Sequence, residues 1–384
     1  MIYLDNCATT KPRDEVVEAM LKALRDDYGN PSSLHRMGLN AEKLLKEARK
    51  TIANYLGVSD GEIYFTSGGT ESNNIAIQST IKANSRIKGH IITSSIEHPA
   101  VRDTIIEFEK MGHPVTWLKV DKDGRIDLDE LRDNIKEDTV LLSLILVNNE
   151  IGTIQDIHGI NRILSSLDRK PHFHVDGVQS FGKISFMPKN FGIDSYAFSG
   201  HKIYGPKGIG GLYLSSEKRL APIVFGGGQE KGLRSGTENM PGIVGMAEAV
   251  KQIQNNFNAE NKEISSIKSS MIAELLKLIP DLRINSLASE IFSPYILNIS
   301  IPGTKGEVIV HMLEENGIFV STTSACSSKG STRSHVLSAI GLSDELIEGT
   351  IRISFSKDNS ETDILFVSEK IREASEEIRS ITGR

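Results

Sequence analysis

Cysteine is scarce in this sequence, and it has neither long apolar runs nor an excess of positive charge. Its 384 residues contain two cysteines, Cys7 and Cys326, too few for a disulfide framework, so we expect a reducing, cytoplasmic location. No apolar run is long enough to span a bilayer, and the first residues, MIYLDNC, do not have the pattern of a signal peptide. The net charge of −6 gives no electrostatic reason to expect nucleic acid or an anionic membrane as a ligand.

Short apolar stretches alternate with amphipathic ones, which predicts a mainly parallel sheet with crossover helices. The run VLLSLILV at 140–147 is apolar at nearly every position and is predicted to be a central strand, buried on both faces. Helical periodicity predicts helices over 14–24, 71–87, 156–167 and 264–279, the last closed by Pro280. The chain exceeds the usual size of one core, so we expect two domains, with the boundary near the start of the long last helix.

Lys202 lies in a turn between a predicted strand at 194–199 and a glycine-rich loop, next to His201. A lysine at the mouth of a strand can be desolvated, lose its proton near neutral pH and condense with a carbonyl group. A solvated turn lysine is the ordinary alternative for any single lysine.

Two further stretches favour the reactive interpretation. Asp176 ends a short apolar strand, where a carboxylate can keep the pyridine nitrogen of pyridoxal 5'-phosphate (PLP) protonated. The segment TSGGTESNN at 66–74 follows a strand and opens a helix, so the backbone N–H groups around Gly69 and Thr70 can bind a phosphate group. A phosphate turn, a strand acid and a later lysine are, in this order, the layout of a PLP enzyme.

The sequence resembles the NifS/IscS-like cysteine desulfurases, which are PLP enzymes of fold type I in the class-V aminotransferase family. The resemblance runs nearly end to end. It is carried by YLDNCATT (3–10), YGNPSSLH (28–35), TSGGTESNN (66–74), EHPAV (97–101), VNNEIGTIQ (147–155), HVDGVQ (174–179), FSGHKIYGPKGIG (198–210), GGGQEKGLRSGTEN (226–239), STTSACSS (321–328) and IRIS (351–354).

This resemblance implies an α/β fold with a mainly parallel seven-stranded sheet sandwiched by helices, plus a smaller α+β domain. We expect residues 15–255 to form the large PLP-binding domain, and residues 1–14 and 256–384 to form the small domain that carries the catalytic cysteine loop. Strands predicted at 296–301, 318–321 and 350–355 fit such a small domain.

The resemblance also assigns roles to residues. Lys202 would hold PLP, and His98 would stack on its ring and act as an acid or base. The further residues expected to bind PLP are Gly69, Thr70, Asn149, Asp176, Gln179, Ser199, His201 and Thr237. Thr237 would reach the PLP phosphate of the partner in an obligate homodimer. No metal site is expected.

Two residues are assigned to substrate chemistry. Arg352 lies within an apolar strand and needs a partner, either an internal carboxylate or, by resemblance, the substrate α-carboxylate together with Asn149. Cys326 lies in a stretch rich in Ser and Thr and by resemblance forms the persulfide, whereas Cys7 is expected to be a small packed residue.

The expected reaction removes sulfur from L-cysteine, gives L-alanine and passes sulfur to an acceptor protein such as an iron–sulfur scaffold, or into another thio-cofactor or tRNA thiolation pathway. A selenocysteine lyase, another PLP fold type I enzyme and a non-catalytic partner-binding homologue are the alternatives. The sequence does not choose the acceptor.

Overall fold

The computed structural model describes residues 1–84, 88–218, 220–322 and 333–382. Its strands, in chain order, are β1 (Ile2–Tyr3), β2 (Ile63–Thr66), β3 (His90–Ser94), β4 (Val115–Leu118), β5 (Thr139–Ile145), β6 (His172–Asp176), β7 (Ser195–Ser199), β8 (Gly210–Leu214), β9 (Arg283–Ile284), β10 (Ile296–Ser300), β11 (Ile318–Phe319) and β12 (Thr350–Ser354). Its α-helices are α1 (Asp14–Arg25), α2 (Arg36–Leu56), α3 (Gly69–Ala83), α4 (Pro99–Lys110), α5 (Leu128–Asn134), α6 (Ile157–Ser165), α7 (Met240–Leu278), α8 (Gly306–Glu315), α9 (His335–Ala339), α10 (Asp344–Glu348) and α11 (Glu361–Thr382).

Seven strands form the main sheet in the order β2-β8-β7-β6-β5-β3-β4. β8 is antiparallel to both of its neighbours, and the remaining pairs are parallel, which confirms the mainly parallel sheet. Every residue of β5 is buried, as expected for a strand covered on both faces. Because parallel strands end at the same edge, the segments after β6 and β7 lie side by side there.

The rest of the chain forms two smaller sheets. β12, β10 and β9 make an antiparallel sheet, and the N-terminal strand β1 pairs in parallel with β11. Helix α3 packs against the main sheet, whereas α7 packs against α1, α2 and α11. One continuous apolar cluster includes residues of both the main and the antiparallel sheet, for example Phe198 and Ile299.

The predicted helix at 264–279 is the second part of a much longer one, because α7 has 39 residues and begins at Met240. Its middle, residues 251–263, is the polar stretch KQIQNNFNAENKE, in which few apolar residues mark a helical period. Asn239 caps it by accepting a hydrogen bond from the N–H of Gly242. The helix therefore runs through residue 255, where we placed the end of the large domain.

Other boundaries differ by less. The helix expected from residue 71 begins at Gly69, because the glycine turn already has helical geometry there, and it is described as far as Ala83. Helices α2, α4 and α5 and strands β4 and β9 had no counterpart among the predicted elements. In the described ranges, no helix is both long and apolar enough to cross a membrane.

Candidate functional site

A cavity of about 270 Å³ opens at the carboxyl ends of β6 and β7. The N-terminal arm, the start of α3 and the segment after β5 complete its walls. It brings together these predicted site residues: Gly69, Thr70, His98, Asn149, Asp176, Gln179, Ser199, His201, Lys202 and Arg352. Residues more than 280 positions apart in sequence thus share one site, at the edge of the sheet where open α/β folds bind ligands.

Lys202 is at the end of the short turn that follows β7. Its Nζ donates hydrogen bonds to the backbone carbonyls of Cys7 and Ala8, the latter over 2.8 Å. Both carbonyls belong to the N-terminal arm, which therefore fixes the position of the amine at the cavity wall. The neighbouring His201 contacts the same arm, with Nδ1 3.2 Å from Thr9 Oγ1, and burial lowers its pKa to about 4.

Asp176 is the last residue of β6, and only 2% of it is exposed. Its Oδ1 accepts a hydrogen bond from the N–H of Val178 (3.0 Å), and its Oδ2 accepts one from Asn73 Nδ2 (2.8 Å). Burial raises the pKa of this carboxyl above its ordinary value, while the positive charge of Lys202 acts in the opposite direction. A buried carboxylate at a cavity wall favours a cationic ligand atom, and a protonated pyridine nitrogen is one.

The turn at Gly68 and Gly69 packs closely against the segment after β6 and against the start of β8. A Cβ on Gly69 would lie 2.4 Å from Val178 Cγ2, and one on Gly210 would lie 2.6 Å from the Cα of Gly68. Beside this turn, the hydroxyl of Ser199 is buried without a hydrogen-bond partner in the described part of the chain. An unsatisfied buried hydroxyl next to the N-terminus of the fifteen-residue helix α3 fits a bound phosphate group, so the residues present fit PLP.

His98 caps α4, with its Nδ1 accepting a hydrogen bond from the N–H of Ala100 over 3.1 Å. The ring proton of the neutral imidazole therefore lies on Nε2. Burial lowers the pKa of His98, which favours this neutral form near neutral pH. Glu97, the residue before it, is fully buried, and burial raises its pKa to about 8.

Arg352 is 2% exposed and lies in β12 at the border of the cavity. Its Nη2 donates to Asp5 Oδ1 over 2.9 Å, and its Nη1 donates to the backbone carbonyl of Asn149 over 3.1 Å. The internal ion pair considered from the sequence is thus present, and the guanidinium also faces the cavity. An oriented guanidinium in a cavity is suited to bind a carboxylate.

Gln179 has both ends of its side-chain amide engaged. Its Nε2 donates to the Cys7 carbonyl over 3.0 Å, and its Oε1 accepts from the buried amine of Lys183 over 2.7 Å. The side chain of Cys7 is 2% exposed, as expected for a packed residue, yet it also borders the cavity.

Two predicted residues do not line this cavity in the described structure. Thr237 is exposed and lies in the segment before α7, away from the cavity of its own chain. Cys326 lies outside the described residues. In the described ranges, no group of three or more His, Cys, Asp and Glu side chains is arranged to hold a metal ion.

The sequence interpretation missed Asn73, Asp5 and the carbonyls of the arm. Asn73 falls inside a motif whose glycines drew attention to phosphate binding only. Asp5 and the arm carbonyls act across sequence separations of more than 190 residues. The sequence did contain one indication of a polar network around Asp176. The alternation in HFHVD places two histidines and Asp176 on the same face of β6.

The fold and the cavity define an open α/β protein with a site for an anionic, nitrogen-containing cofactor and a carboxylate. The model of the class-V aminotransferase family matches residues 2–367. A NifS/IcsS protein homolog of Lactobacillus delbrueckii subsp. bulgaricus is 44% identical over 361 residues, 94% of this chain and 93% of the relative. A cysteine desulfurase IscS of Methanosarcina thermophila is 41% identical over 382 residues, 99% of this chain and 93% of the relative.

A solved NifS-like protein superposes with a TM-score of 0.91 at 38% identity, covering 97% of this chain and 98% of that one. The chain therefore belongs to the class-V aminotransferase family, among its NifS/IscS-like cysteine desulfurases. Members of this family depend on PLP, in agreement with the fit of the cavity.

Proposed function

We propose that this protein is a PLP-dependent cysteine desulfurase, which converts L-cysteine to L-alanine and carries the sulfur as a persulfide on Cys326. The observation that carries the proposal is the convergence of Lys202, Asp176, the Gly69 turn and Arg352 on one cavity. The similarity to relatives named cysteine desulfurase over nearly the whole chain selects this reaction among those of PLP enzymes.

The cofactor would be held at three points. Ser199 and the N–H groups at Gly69 and Thr70 would bind the phosphate, Asp176 would pair with the ring nitrogen, and the Lys202 amine would be the covalent anchor. His98 would pack on the ring, and Gln179, Asn149 and His201 would contact the cofactor around it. When bound, PLP supplies an electron sink that acidifies the Cα–H bond of an amino acid.

The substrate would be oriented through its α-carboxylate. Arg352 binds this group, with Asn149 beside it, because the guanidinium already faces the cavity and is held by Asp5. The Lys202 amine, freed when the substrate amine takes its place, would remove the proton from Cα, and His98 Nε2 would exchange protons with the substrate during the rest of the reaction.

Sulfur transfer needs a nucleophile, and Cys326 is the residue that we assign to it. Its thiolate attacks the substrate sulfur, so that an S–S bond forms as the C–S bond breaks. The bonding electrons of the C–S bond stay with the carbon fragment, which is protonated and leaves as alanine. The balance is L-cysteine plus the enzyme thiol giving L-alanine plus the enzyme persulfide, with no external oxidant.

The partners are also part of the proposal. The exposed Thr237 would reach the PLP phosphate of a second copy in a homodimer, and an acceptor protein such as an iron–sulfur scaffold would take the persulfide sulfur. We further propose the domain division at residues 15–255, with 1–14 and 256–384 as the small domain, and a cytoplasmic location without direct nucleic-acid or membrane binding.

The test is to incubate the purified protein with PLP, L-cysteine and a reductant, and to measure the absorbance of bound PLP, alanine and sulfide. We expect PLP binding and equal amounts of alanine and sulfide. Cys326→Ala should bind PLP but form no persulfide, whereas Cys7→Ala, which removes the other thiol and keeps its backbone carbonyl, should still form it. Bound PLP without alanine would indicate another PLP activity, and failure to bind PLP would favour a non-catalytic homologue.

A further inference from the structure

A row of buried polar side chains runs from Asp176 away from the cavity. His172, His174 and Asp176 alternate along the same face of β6, Ser195 comes from β7, and Asn73 comes from α3. Each of the five residues is at most 7% exposed. Buried polar groups of this kind are costly unless each is satisfied by a partner.

The row is linked by four consecutive hydrogen bonds. His172 Nε2 lies 2.7 Å from Ser195 Oγ, which lies 2.9 Å from His174 Nδ1. His174 Nε2 lies 2.9 Å from Asn73 Oδ1, and Asn73 Nδ2 lies 2.8 Å from Asp176 Oδ2. Asp176 is thus the end of a relay that starts four residues earlier on its own strand.

The charge of Asp176 fixes the direction of every bond in this relay. An ionised carboxylate only accepts, so Asn73 must donate through Nδ2 and accept through Oδ1. His174 then donates from Nε2, which leaves Nδ1 of its neutral ring as an acceptor for the Ser195 hydroxyl proton. Ser195 Oγ in turn accepts from Nε2–H of His172.

We propose that Asn73, His174, Ser195 and His172 are positioning residues that form a one-way hydrogen-bond relay, with all four donors directed toward Asp176, to keep this carboxylate ionised. The relay rests on the proposed function only in assigning Asp176 to the PLP ring nitrogen. Hydrogen bonds in such a chain polarise one another, so the bond that reaches Asp176 is stronger than an isolated amide bond.

The electrostatics of the row agree with this assignment. Burial lowers the pKa of both His172 and His174 to about 3, so both rings are neutral near neutral pH, as the relay requires. Burial acts in the opposite direction on Asp176 and raises its pKa. The relay and the Val178 N–H offset this effect through hydrogen bonds, and the Lys202 ammonium offsets it through positive charge.

If Asp176 were protonated, it would donate to Asn73, the amide would turn over, and the relay would reverse. His174 would then carry its proton on Nδ1 instead of Nε2. The tautomer of one histidine therefore reports the direction of the whole relay.

The first experiment measures histidine ring nitrogen chemical shifts by NMR in the ¹⁵N-histidine-labelled full chain, without and with PLP. The signals are assigned with His174→Gln and His172→Gln. We expect both rings to be neutral Nε2–H tautomers at neutral pH in both states. A His174 ring protonated on Nδ1, or on both nitrogens, would overturn the proposal. This result is independent of activity, so it can fail while desulfuration is observed, or hold where it is not.

The second experiment breaks the relay and measures the dissociation constant of PLP by the quenching of protein fluorescence. Asn73→Leu is expected to raise this dissociation constant about tenfold or more, which is the effect of losing one hydrogen bond to a charged group. In the same variant, His174 should be a mixture of its two neutral tautomers, because nothing then selects Nε2–H. Ser195→Ala removes the hydroxyl between the two histidines, so His172 should become a mixture of its two neutral tautomers. The dissociation constant of PLP should rise less than in Asn73→Leu.

The matched control is Ser143→Ala. Ser143 is fully buried on β5, directly beside His174, and its hydroxyl has no hydrogen-bond partner among the described residues. Its removal should leave both the tautomers and the PLP affinity unchanged. If Ser143→Ala and Ser195→Ala act alike on folded protein, the hydroxyl of Ser195 has only a packing role and the relay is refuted.

Discussion

The ion pair between Arg49 of α2 and Glu230 ties the glycine-rich segment before α7 to strand β2. The pair is bidentate, with both nitrogen–oxygen distances at 2.7 Å, and the carboxylate also accepts the N–H of Phe65 over 2.9 Å. The side chains are 15% and 3% exposed. Glu230 and Lys231 have φ angles of 47° and 57°, a strained region for non-glycine residues, so this contact holds an unfavourable backbone in place.

Arg49→Met leaves the buried Glu230 carboxylate with a single hydrogen bond from Phe65. Removal of one partner of a buried pair costs about 3–5 kcal/mol, and the retained bond puts this case near 3. A chain of 384 residues has an unfolding entropy of about 0.8 kcal/mol/K, so the melting temperature should fall by about 4 °C.

The partner substitution separates the charge from the packing. Glu230→Gln still offers an oxygen to the N–H of Phe65, so in the double variant with Arg49→Met no charge is left unpaired. Differential scanning calorimetry should therefore show the double variant melting above Arg49→Met alone. A fall of less than about 1 °C for Arg49→Met, or a double variant less stable than the single one, would refute this reasoning.

Three further predictions concern residues that line the cavity or lie directly beside those that do. Asp5→Ala should raise KM for L-cysteine about tenfold, because Arg352 loses a charge-assisted hydrogen bond, while Asp5→Asn should nearly retain KM in the same steady-state assay. Ser199→Ala should raise the dissociation constant of PLP about tenfold in fluorescence titration without lowering the melting temperature. Burial raises the pKa of Glu97 to about 8, so its contribution to stability is full below about pH 4.5 and is lost as pH rises through 8; Glu97→Gln should weaken this decline in melting scans.

The sequence could predict those site residues that lie in short motifs at the end of a strand or directly after it. Lys202, Asp176 and the Gly69 turn each end or follow a strand, and parallel strands bring their carboxyl ends to one edge. Local pattern and chain direction were therefore enough to place them together. The apolar run at 140–147 was predicted to be central for the same kind of reason, and β5 lies inside the sheet.

The part that sequence could not predict depends on contacts between distant segments. The middle of α7, residues 251–263, is too polar to show a helical period, and α7 is stabilised as one continuous helix by packing on α1 and α2. From the sequence, Asn73 was only one residue of a phosphate-binding motif. In the structure its Nδ2 lies 2.8 Å from Asp176 Oδ2. Local sequence preferences cannot predict this hydrogen bond, because it forms only when α3 packs against the sheet.

The N-terminal arm shows why the site requires the whole fold. Its Asp5 holds Arg352 of β12, and its Cys7 and Ala8 carbonyls hold Lys202 at the end of β7. The arm itself is fixed through its strand β1, which pairs with β11, a strand outside the main sheet. Arg352, proposed to bind the substrate, and Lys202, proposed to bind the cofactor, are thus both positioned by this arm of ten residues. The arm contains only one strand, of two residues. Because an extended segment with so little regular structure depends on its partners for order, the separation of Lys202 from Arg352 is set only when both parts of the chain have folded.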